Sequence, residues 1–396
     1  MISRRELVRY RITTLLALPV LVAACFQSGP LPPSPAPGAP AGPPGAPADA
    51  TANAEPTPSP SDAEAATRPT IESERALQME GAVLTRLDRL QRLHDLTMPL
   101  LRGGLEMCKG HLRNELGFLY ATLDQYPADA ERRVYETVLG IRSWPTVLLV
   151  VSGSAAERAG IAPGDFIAAV GGVTVPGGRP GRDTIAAVTR RWPAEGALPV
   201  QVERNGVAVD IRYPAETVCD YDIAVTEDDE INAWASGDAI HVSRGLMRFP
   251  MSDTHLQAVL AHEIAHNSEG HLAEITSNLV LTGLRGSVRD AAAEAARPLS
   301  QVEFSRTQEH EADYVGMYYL ARAGIDTGEV GQVWRLLAAE NPEDVRDRGE
   351  STHPSLPERF LRLEATHREI TLKLEAGLPL LPNRTRDGAL IVPRVG

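Results

Sequence analysis

The segment from Asp253 to His266 limits the possible folds of this chain more than any other stretch of its sequence. Its apolar residues recur every three or four positions, at Leu256, Val259, Leu260 and Ile264. That spacing predicts an amphipathic helix with one face against a core and with Asp253 as its N-cap. His262 and His266 are four residues apart and therefore project from one side of the helix. Because two imidazoles at this spacing can bind one metal ion, another element must pack beside them to complete the ligand set.

Glu263 follows the first histidine, where a carboxylate can reach a metal-bound water without itself being a ligand. The pattern predicts one zinc ion per chain, with Glu263 as the general base. Two alternatives remain open. One is a helix with two incidental histidines. The other is a structural zinc site, which would normally have four protein ligands with no open coordination position and would not need Glu263. One class of zinc peptidases uses a third histidine and a glycine shortly after this motif. The corresponding positions here are Leu272 and Glu269, which excludes that class.

A glutamate on a later helix is the remaining source of a third ligand. Residues 300–323 predict such a helix, closed by Gly324. Glu309 lies within it and is the candidate ligand, and Asp313 follows one turn later, where it can orient a ligand imidazole. Glu311 is expected to point elsewhere, into solvent.

Three sequence strings together resemble a known peptidase family. They are HEIAH at 262–266, SRTQEHEAD at 305–313, and THPS at 352–355 followed by Arg359. In combination they resemble the family of HtpX, the CAAX prenyl proteases and the BepA-type periplasmic proteases. The resemblance implies a mainly helical zincin-type domain with a small edge-strand hairpin, in which His262, His266 and Glu309 hold zinc.

The same resemblance implies roles for residues around the ligands. His353 would latch the metal or stabilise an oxyanion, while Asp313, Arg359 and His271 would lie beside the ligands. The alternative for His353 is a turn residue before Pro354. The alternative for His271 is a surface position.

A short hairpin is predicted just before the metal-binding helix. Asn232–Ala235 and Ala239–Val242 flank a turn at 236–238. Related peptidases use such an edge strand to hold substrate in extended form, so the resemblance implies contacts from Asn232, Ala233 and Trp234. An ordinary sheet edge is the alternative.

Residues 134–216 have a different pattern, with short strands, turns and a hairpin at Asn205-Gly206. The string from Ser154 to Asp165, SAAERAGIAPGD, closely resembles the bacterial PDZ signature. Such domains bind extended peptides by strand addition. By that resemblance Leu139, Gly140 and Ile141 would form the carboxylate-binding loop. The alternative is a PDZ domain that only packs against its neighbour.

The N-terminus is typical of an exported lipoprotein. Four arginines precede an apolar stretch, 12–24, that is too short to span a bilayer and ends in Val22-Ala23-Ala24-Cys25. This resembles a lipobox, with Cys25 as the lipidated residue, and Phe26 favours the outer membrane. An ordinary secretory signal is the alternative. Residues 29–69 are rich in Pro, Ala, Gly and Ser and predict a disordered tether.

The two remaining cysteines, Cys108 and Cys219, are expected to pair if the chain is exported, since that compartment is oxidising. Two buried free thiols are the alternative. The net charge of −13 gives no reason to expect nucleic-acid binding. Arg285, Arg289 and Asp290 lie in the apolar stretch 279–297 and argue against a membrane span there.

The sequence therefore predicts an α+β chain with a β-rich PDZ domain and a mainly helical metallopeptidase domain. The predicted parts are a signal peptide at 1–24, a tether at 25–70, a helical segment at 71–133, the PDZ domain at 134–216, the peptidase domain at 217–370 and a tail at 371–396. The family resemblance implies hydrolysis of extended or misfolded envelope proteins, with the outer-membrane protein assembly machinery as a partner, and the lipobox resemblance implies the periplasmic face of the outer membrane. A latched binding or chaperone lipoprotein and a hydrolase of cell-wall peptide are the alternatives.

Overall fold

The computed structural model describes residues 70–193, 196–284, 298–340, 342 and 357–394. The chain divides into two compact units, Met1–Val83 and Leu84–Gly396. Helix α1, Ile71–Gly103, begins in the first unit and continues into the second. Cys25, the predicted signal peptide and the predicted tether up to residue 69 lie outside the described residues. No helix within the described ranges combines the length and the apolar character that a membrane crossing requires.

A mixed layer of strands and helices follows α1. Its elements are β1 (Leu112–Glu115), β2 (Phe118–Ala121), α2 (Ala130–Thr137), β3 (Thr146–Val150), α3 (Ala155–Arg158), β4 (Phe166–Val170), β5 (Val173–Thr174), α4 (Gly178–Arg191), β6 (Ala197–Arg204) and β7 (Val207–Pro214). The sheet has the order β2-β3-β4-β6-β7, with β5 paired to β4 and all pairs antiparallel. Asn205 and Gly206, with φ of 53° and 77°, form the β6–β7 turn, as the sequence predicts. Buried Ile167, Ile185 and Val202 belong to the separate hydrophobic core of this layer.

The second half of the large unit is mainly helical. Its elements are β8 (Glu216–Cys219), β9 (Asp222–Thr226), β10 (Ala233–Ala235), β11 (Ala239–Ser243), α5 (Arg244–Arg248), α6 (Asp253–Glu269), α7 (His271–Leu284), α8 (Arg306–Arg322), α9 (Gln332–Glu340) and α10 (Pro357–Glu375). Strands β10, β11 and β9 form a sheet in that order, with β10 at one edge. The predicted α+β fold class is confirmed.

Helices α6 and α8 lie against each other at the centre of this half. The backbone of Gly316 on α8 approaches Ala261 on α6 so closely that a β-carbon at 316 would lie 3.2 Å from the Ala261 carbonyl oxygen. A larger residue at 316 would require the neighbouring backbone to shift slightly, so glycine favours this close approach. The contact places the residues of α8 directly beside His262.

The predicted helical segment 71–133 is wrong in its second half. Helix α1 ends at Gly103, and Leu112–Glu115 and Phe118–Ala121 are strands. Gly117, with φ of 75°, interrupts any helix there, and the pairing partners are distant: β1 pairs with β8, and β2 pairs with β3. The β-rich layer therefore begins well before residue 134.

The start of α6 also differs from the prediction by one residue. Ser252, not Asp253, is the N-cap, and its hydroxyl accepts a hydrogen bond from the His255 N–H at 3.2 Å. Asp253 lies in the first turn, where a carboxylate interacts favourably with the helix dipole.

The structure pairs Cys108 with Cys219, both fully buried, with α-carbons 5.7 Å apart and a sequence separation of 111. The closed loop contains the whole β-rich layer. On the chain-entropy model, replacing both cysteines by alanine should lower the free energy of unfolding by about 4–5 kcal/mol. Urea unfolding of the two proteins measures this difference, and equal midpoints with equal slopes would contradict it. Peptide mapping without reduction tests whether the bridge forms in solution.

Candidate metal centre

The helix caps on α6 and α8 fix the position of the candidate ligands. Ser252 caps the start of α6, and Gly270, with φ of 79°, ends it. Ser305 and Gln308 form a capping box at the start of α8, one residue before Glu309. The predicted helix 300–323 is therefore shorter than expected, and Glu309 lies in its first turn.

The side chains of His262, His266 and Glu309 meet at one point between α6 and α8. The two Nε2 atoms are 3.0 Å apart, and each lies 3.4 Å from a Glu309 carboxylate oxygen. Tetrahedral zinc with ligands at about 2.0–2.1 Å separates its donor atoms by about 3.3 Å. The three donors therefore fit a zinc ion, and imidazole and carboxylate are donors that zinc accepts. Their exposures are 2%, 1% and 3%, so the cluster is buried.

Glu263 occupies the next position on α6 after His262. Its side chain is 1% exposed, and its charge contributes to the electrostatic environment of Arg359. It is not one of the three clustered donors. This arrangement agrees with a carboxylate that lies beside a metal ion and does not bind it.

Asp313 and Arg359 lie behind the His262 imidazole. The Asp313 Oδ1 atom is 3.0 Å from His262 Nδ1, so the carboxylate can accept the proton of that nitrogen. Arg359 donates two hydrogen bonds of 2.7 Å to the Asp313 carboxylate and lies 2.8 Å from Glu309 Oε2. Its guanidinium stacks on the Trp334 ring at 3.7 Å and is completely buried. Arg359 therefore connects the ligand Glu309 to the carboxylate that orients His262.

These contacts control the protonation of the metal-free site. Burial lowers the pKa of His262, but the carboxylates of Glu309 and Asp313 outweigh it and raise the pKa to about 9. Burial raises the pKa of Asp313, but the Arg359 guanidinium outweighs it and holds the pKa below its usual range. Without metal, His262 is therefore protonated at neutral pH, and metal binding must release that proton.

His271 and Glu311 lie beside the other imidazole. His271 Nδ1 is 2.9 Å from His266 Nδ1, and His271 Nε2 is 3.2 Å from Glu311 Oε2. His271 is 2% exposed, so the alternative of a surface position is wrong. Glu311 is only partly exposed and has this histidine as a partner, so its expected solvation is also wrong. Phe304, which the sequence did not single out, stacks on His266 at 3.8 Å.

The predicted hairpin next to the site is present. Its turn is fastened to α6, because Asn267 accepts a hydrogen bond from the Gly237 N–H at 2.7 Å and donates one to the Ala239 carbonyl at 2.9 Å. Ala233 faces the core, whereas Trp234 is half-buried and stacks on His241 of β11. Asn232 donates to the Ser300 carbonyl at 3.2 Å. The three predicted substrate contacts therefore lie on or next to the edge strand β10.

The residues predicted to form the carboxylate-binding loop do not precede an edge strand of the sheet. Leu139, Gly140 and Ile141 form a turn after α2, and the N–H groups of Leu139 and Ile141 donate to carbonyls of α2 at 3.3 and 2.9 Å. No strand follows directly. The loop that does lead into an edge strand of the sheet is Leu116-Gly117, before β2. His353 lies outside the described residues.

Two packed helices that hold two imidazoles and a carboxylate around one point, with a second carboxylate next to the first imidazole, are the arrangement typical of metallopeptidases of the HExxH type. Residues 197–367 match the model of peptidase family M48. This part of the chain is similar to that family over less than half of the chain's length.

Individual relatives agree with the family match. The chain is 29% identical over 165 residues to the mitochondrial metalloendopeptidase OMA1 of Schizosaccharomyces pombe, covering 39% of this chain and 49% of the relative. It is 32% identical over 132 residues to a putative beta-barrel assembly-enhancing protease of Vibrio cholerae, covering 28% of this chain and 27% of the relative. It is 30% identical over 138 residues to the metalloprotease YcaL of Escherichia coli, covering 31% of this chain and 53% of the relative. The chain thus spans between about a quarter and a half of their lengths.

Among solved structures, the chain is similar to the HtrA3 PDZ domain bound to a phage-derived ligand. The two are 20% identical, and the match covers 27% of this chain and 89% of that one with a TM-score of 0.21. A score this low does not support an argument about function.

Proposed function

We propose that this protein is a zinc-dependent endopeptidase. The observation that supports the proposal is the buried convergence of His262, His266 and Glu309, with Glu263 adjacent on the same helix. Zinc held there would polarise the scissile carbonyl and lower the pKa of a water molecule toward ~7.

The chain's own residues supply the remaining steps. Glu263 accepts the proton of the attacking water and passes it to the leaving amine. Asp313 holds the His262 imidazole by its Nδ1 proton, and Arg359 keeps the Asp313 carboxylate charged and in place. Strand β10, at the edge of its sheet, offers a backbone along which an extended peptide can pair.

The names of two relatives suggest the substrate class. Relatives from Vibrio cholerae and Escherichia coli are named for beta-barrel assembly, which agrees with extended or misfolded envelope proteins as substrates. The β-rich layer would add a second peptide contact and raise the effective concentration of substrate. Strand β2, which pairs with β3 alone among the described strands, is the edge we propose for that contact. Lipidation at Cys25 would hold the protein at the periplasmic face of the outer membrane.

Zinc dependence is the direct test. The purified full-length chain should contain about one zinc ion and should cleave casein or another unfolded protein. Chelation should abolish cleavage, and stoichiometric zinc should restore it. Cleavage that survives complete removal of metal, confirmed by elemental analysis of the same sample, would refute the proposal.

A latched binding module is the second candidate. It is favoured by the burial of His262, Glu263, His266 and Glu309, none of which is more than 3% exposed. A peptide bond must reach these atoms to be cleaved. A chain that binds zinc and prevents aggregation of an unfolded protein, but never cleaves it, would support this candidate over the peptidase.

A further inference from the structure

The two histidine ligands have different partners at Nδ1. His262 has the Asp313 carboxylate, which is itself held by the buried Arg359. His266 has a second imidazole, His271, whose far nitrogen meets Glu311. A carboxylate held by a guanidinium thus orients one ligand, and an imidazole with a partly exposed carboxylate lies against the other.

The position of His271 depends on the end of α6. In an uninterrupted helix, a residue five positions after His266 would lie about 140° away around the axis. Gly270 breaks the helix in the left-handed conformation, with φ of 79°, and its N–H donates to the His266 and Asn267 carbonyls at 3.1 Å. The backbone changes direction at this turn, and His271 Nδ1 therefore lies 2.9 Å from His266 Nδ1.

Metal binding at His266 determines which nitrogen donates and which accepts in the hydrogen bonds among His266, His271 and Glu311. Nε2 of His266 faces Glu309 and His262, so it must be unprotonated to bind a metal. The proton of a neutral His266 is then on Nδ1, and the atom it meets, His271 Nδ1, must accept it. His271 therefore has its own proton on Nε2, which donates to the Glu311 carboxylate oxygen 3.2 Å away.

We propose that His271 and Glu311 are positioning residues that fix the tautomer and the ring orientation of the ligand His266. This inference rests on the proposed function for its metal. Glu311 holds the proton of His271 on Nε2, His271 Nδ1 accepts from His266 Nδ1, and His266 Nε2 is left free toward Glu309. Such partners of ligand histidines are typically worth 10–100-fold in metal affinity.

The test compares His271→Leu, His271→Asn and Glu311→Leu in the full-length chain. Asparagine places an amide oxygen near the position of Nδ1 and so retains the acceptor, whereas leucine removes it. Zinc affinity is measured by competition with a chelating dye, and the visible spectrum of the cobalt-substituted protein reports ligand geometry. His255→Leu, at a half-buried histidine about two turns before His262 on the same helix, is the matched control.

We expect His271→Leu to lose about 10–100-fold in zinc affinity with an altered cobalt spectrum. His271→Asn should remain near the wild type, Glu311→Leu should fall between the two, and His255→Leu should be unchanged. Wild-type affinity and spectrum in His271→Leu would overturn the proposal, and so would equal losses in the leucine and asparagine variants. If His271→Leu does not fold, Glu311→Leu decides: a loss supports the arrangement, and no change overturns it.

These measurements need no substrate, so they are separate from the test of peptidase activity. A wild-type chain that binds zinc but cleaves no protein would refute the proposed function and leave the roles of His271 and Glu311 still measurable. A wild-type chain that cleaves protein, with zinc affinity unaffected by His271→Leu, would refute this inference alone.

Discussion

Glu263→Gln is expected to lower kcat for cleavage of an unfolded protein by about 10²–10⁴-fold, with zinc content unchanged. The amide is nearly the same size as the carboxylate but cannot accept a proton from the attacking water. Because Glu263 is not among the clustered donors, its loss should leave metal binding intact. Steady-state kinetics and elemental analysis on one preparation measure both quantities.

The matched control is Glu364→Gln, which removes a half-buried carboxylate from α10 outside the site. It should leave kcat and zinc content unchanged. A Glu263→Gln variant that cleaves at the wild-type rate would show that another group is the base. A variant that loses its zinc would show that Glu263 is a ligand.

Local patterns were enough to propose the candidate ligands. The four-residue spacing of His262 and His266 depends only on the geometry of one helix, and the structure brings both rings to one point. Glu309 could be placed on a later helix by its pattern and by the family resemblance. The match of residues 197–367 to peptidase family M48 confirms the family that these strings predicted.

Contacts between distant segments could not be predicted in this way. Strand β1 pairs with β8, with Leu112 opposite Cys219, and a short polar strand has little signal of its own when its partner is so far along the chain. The same limit applied to Leu139, Gly140 and Ile141, which match a sequence motif but do not lead into an edge strand. Glu311 was misread because its partner, His271, lies 40 residues away on another helix.

Arg359 shows the same limit at the site itself. The sequence identified it only as part of a family string, and nothing local indicates that its partner is Asp313, 46 residues before it. In the structure it is a fully buried cation between two buried carboxylates, Asp313 and Glu309. Removal of such a cation takes one compensating charge away from two buried carboxylates, which is more costly than loss of a surface ion pair.

Arg359→Met is therefore expected to lower the free energy of unfolding by about 3–5 kcal/mol, although methionine can fill much of the space over Trp334. Urea unfolding at neutral pH, with and without a chelator, separates this effect from any change in metal binding. Asp313→Asn introduced into the same variant removes one of the two buried carboxylate charges. It should recover part of the lost free energy of unfolding. Arg335→Met, which removes a guanidinium stacked on Phe360 outside the cluster, is the matched control and should cost much less.

The pH dependence of the unfolding free energy is a second, independent measurement of the effect of Arg359→Met. Because Arg359 holds the pKa of Asp313 below its usual range, the stability from this pair is present above the unfolded pKa of about 4 and is lost as the pH falls through the folded pKa. The difference in unfolding free energy between the wild type and Arg359→Met should therefore be largest near neutral pH and should shrink in acid. A difference that stays constant from pH 7 to pH 3, or that falls below about 1 kcal/mol at neutral pH, would show that the buried charges are compensated by other groups.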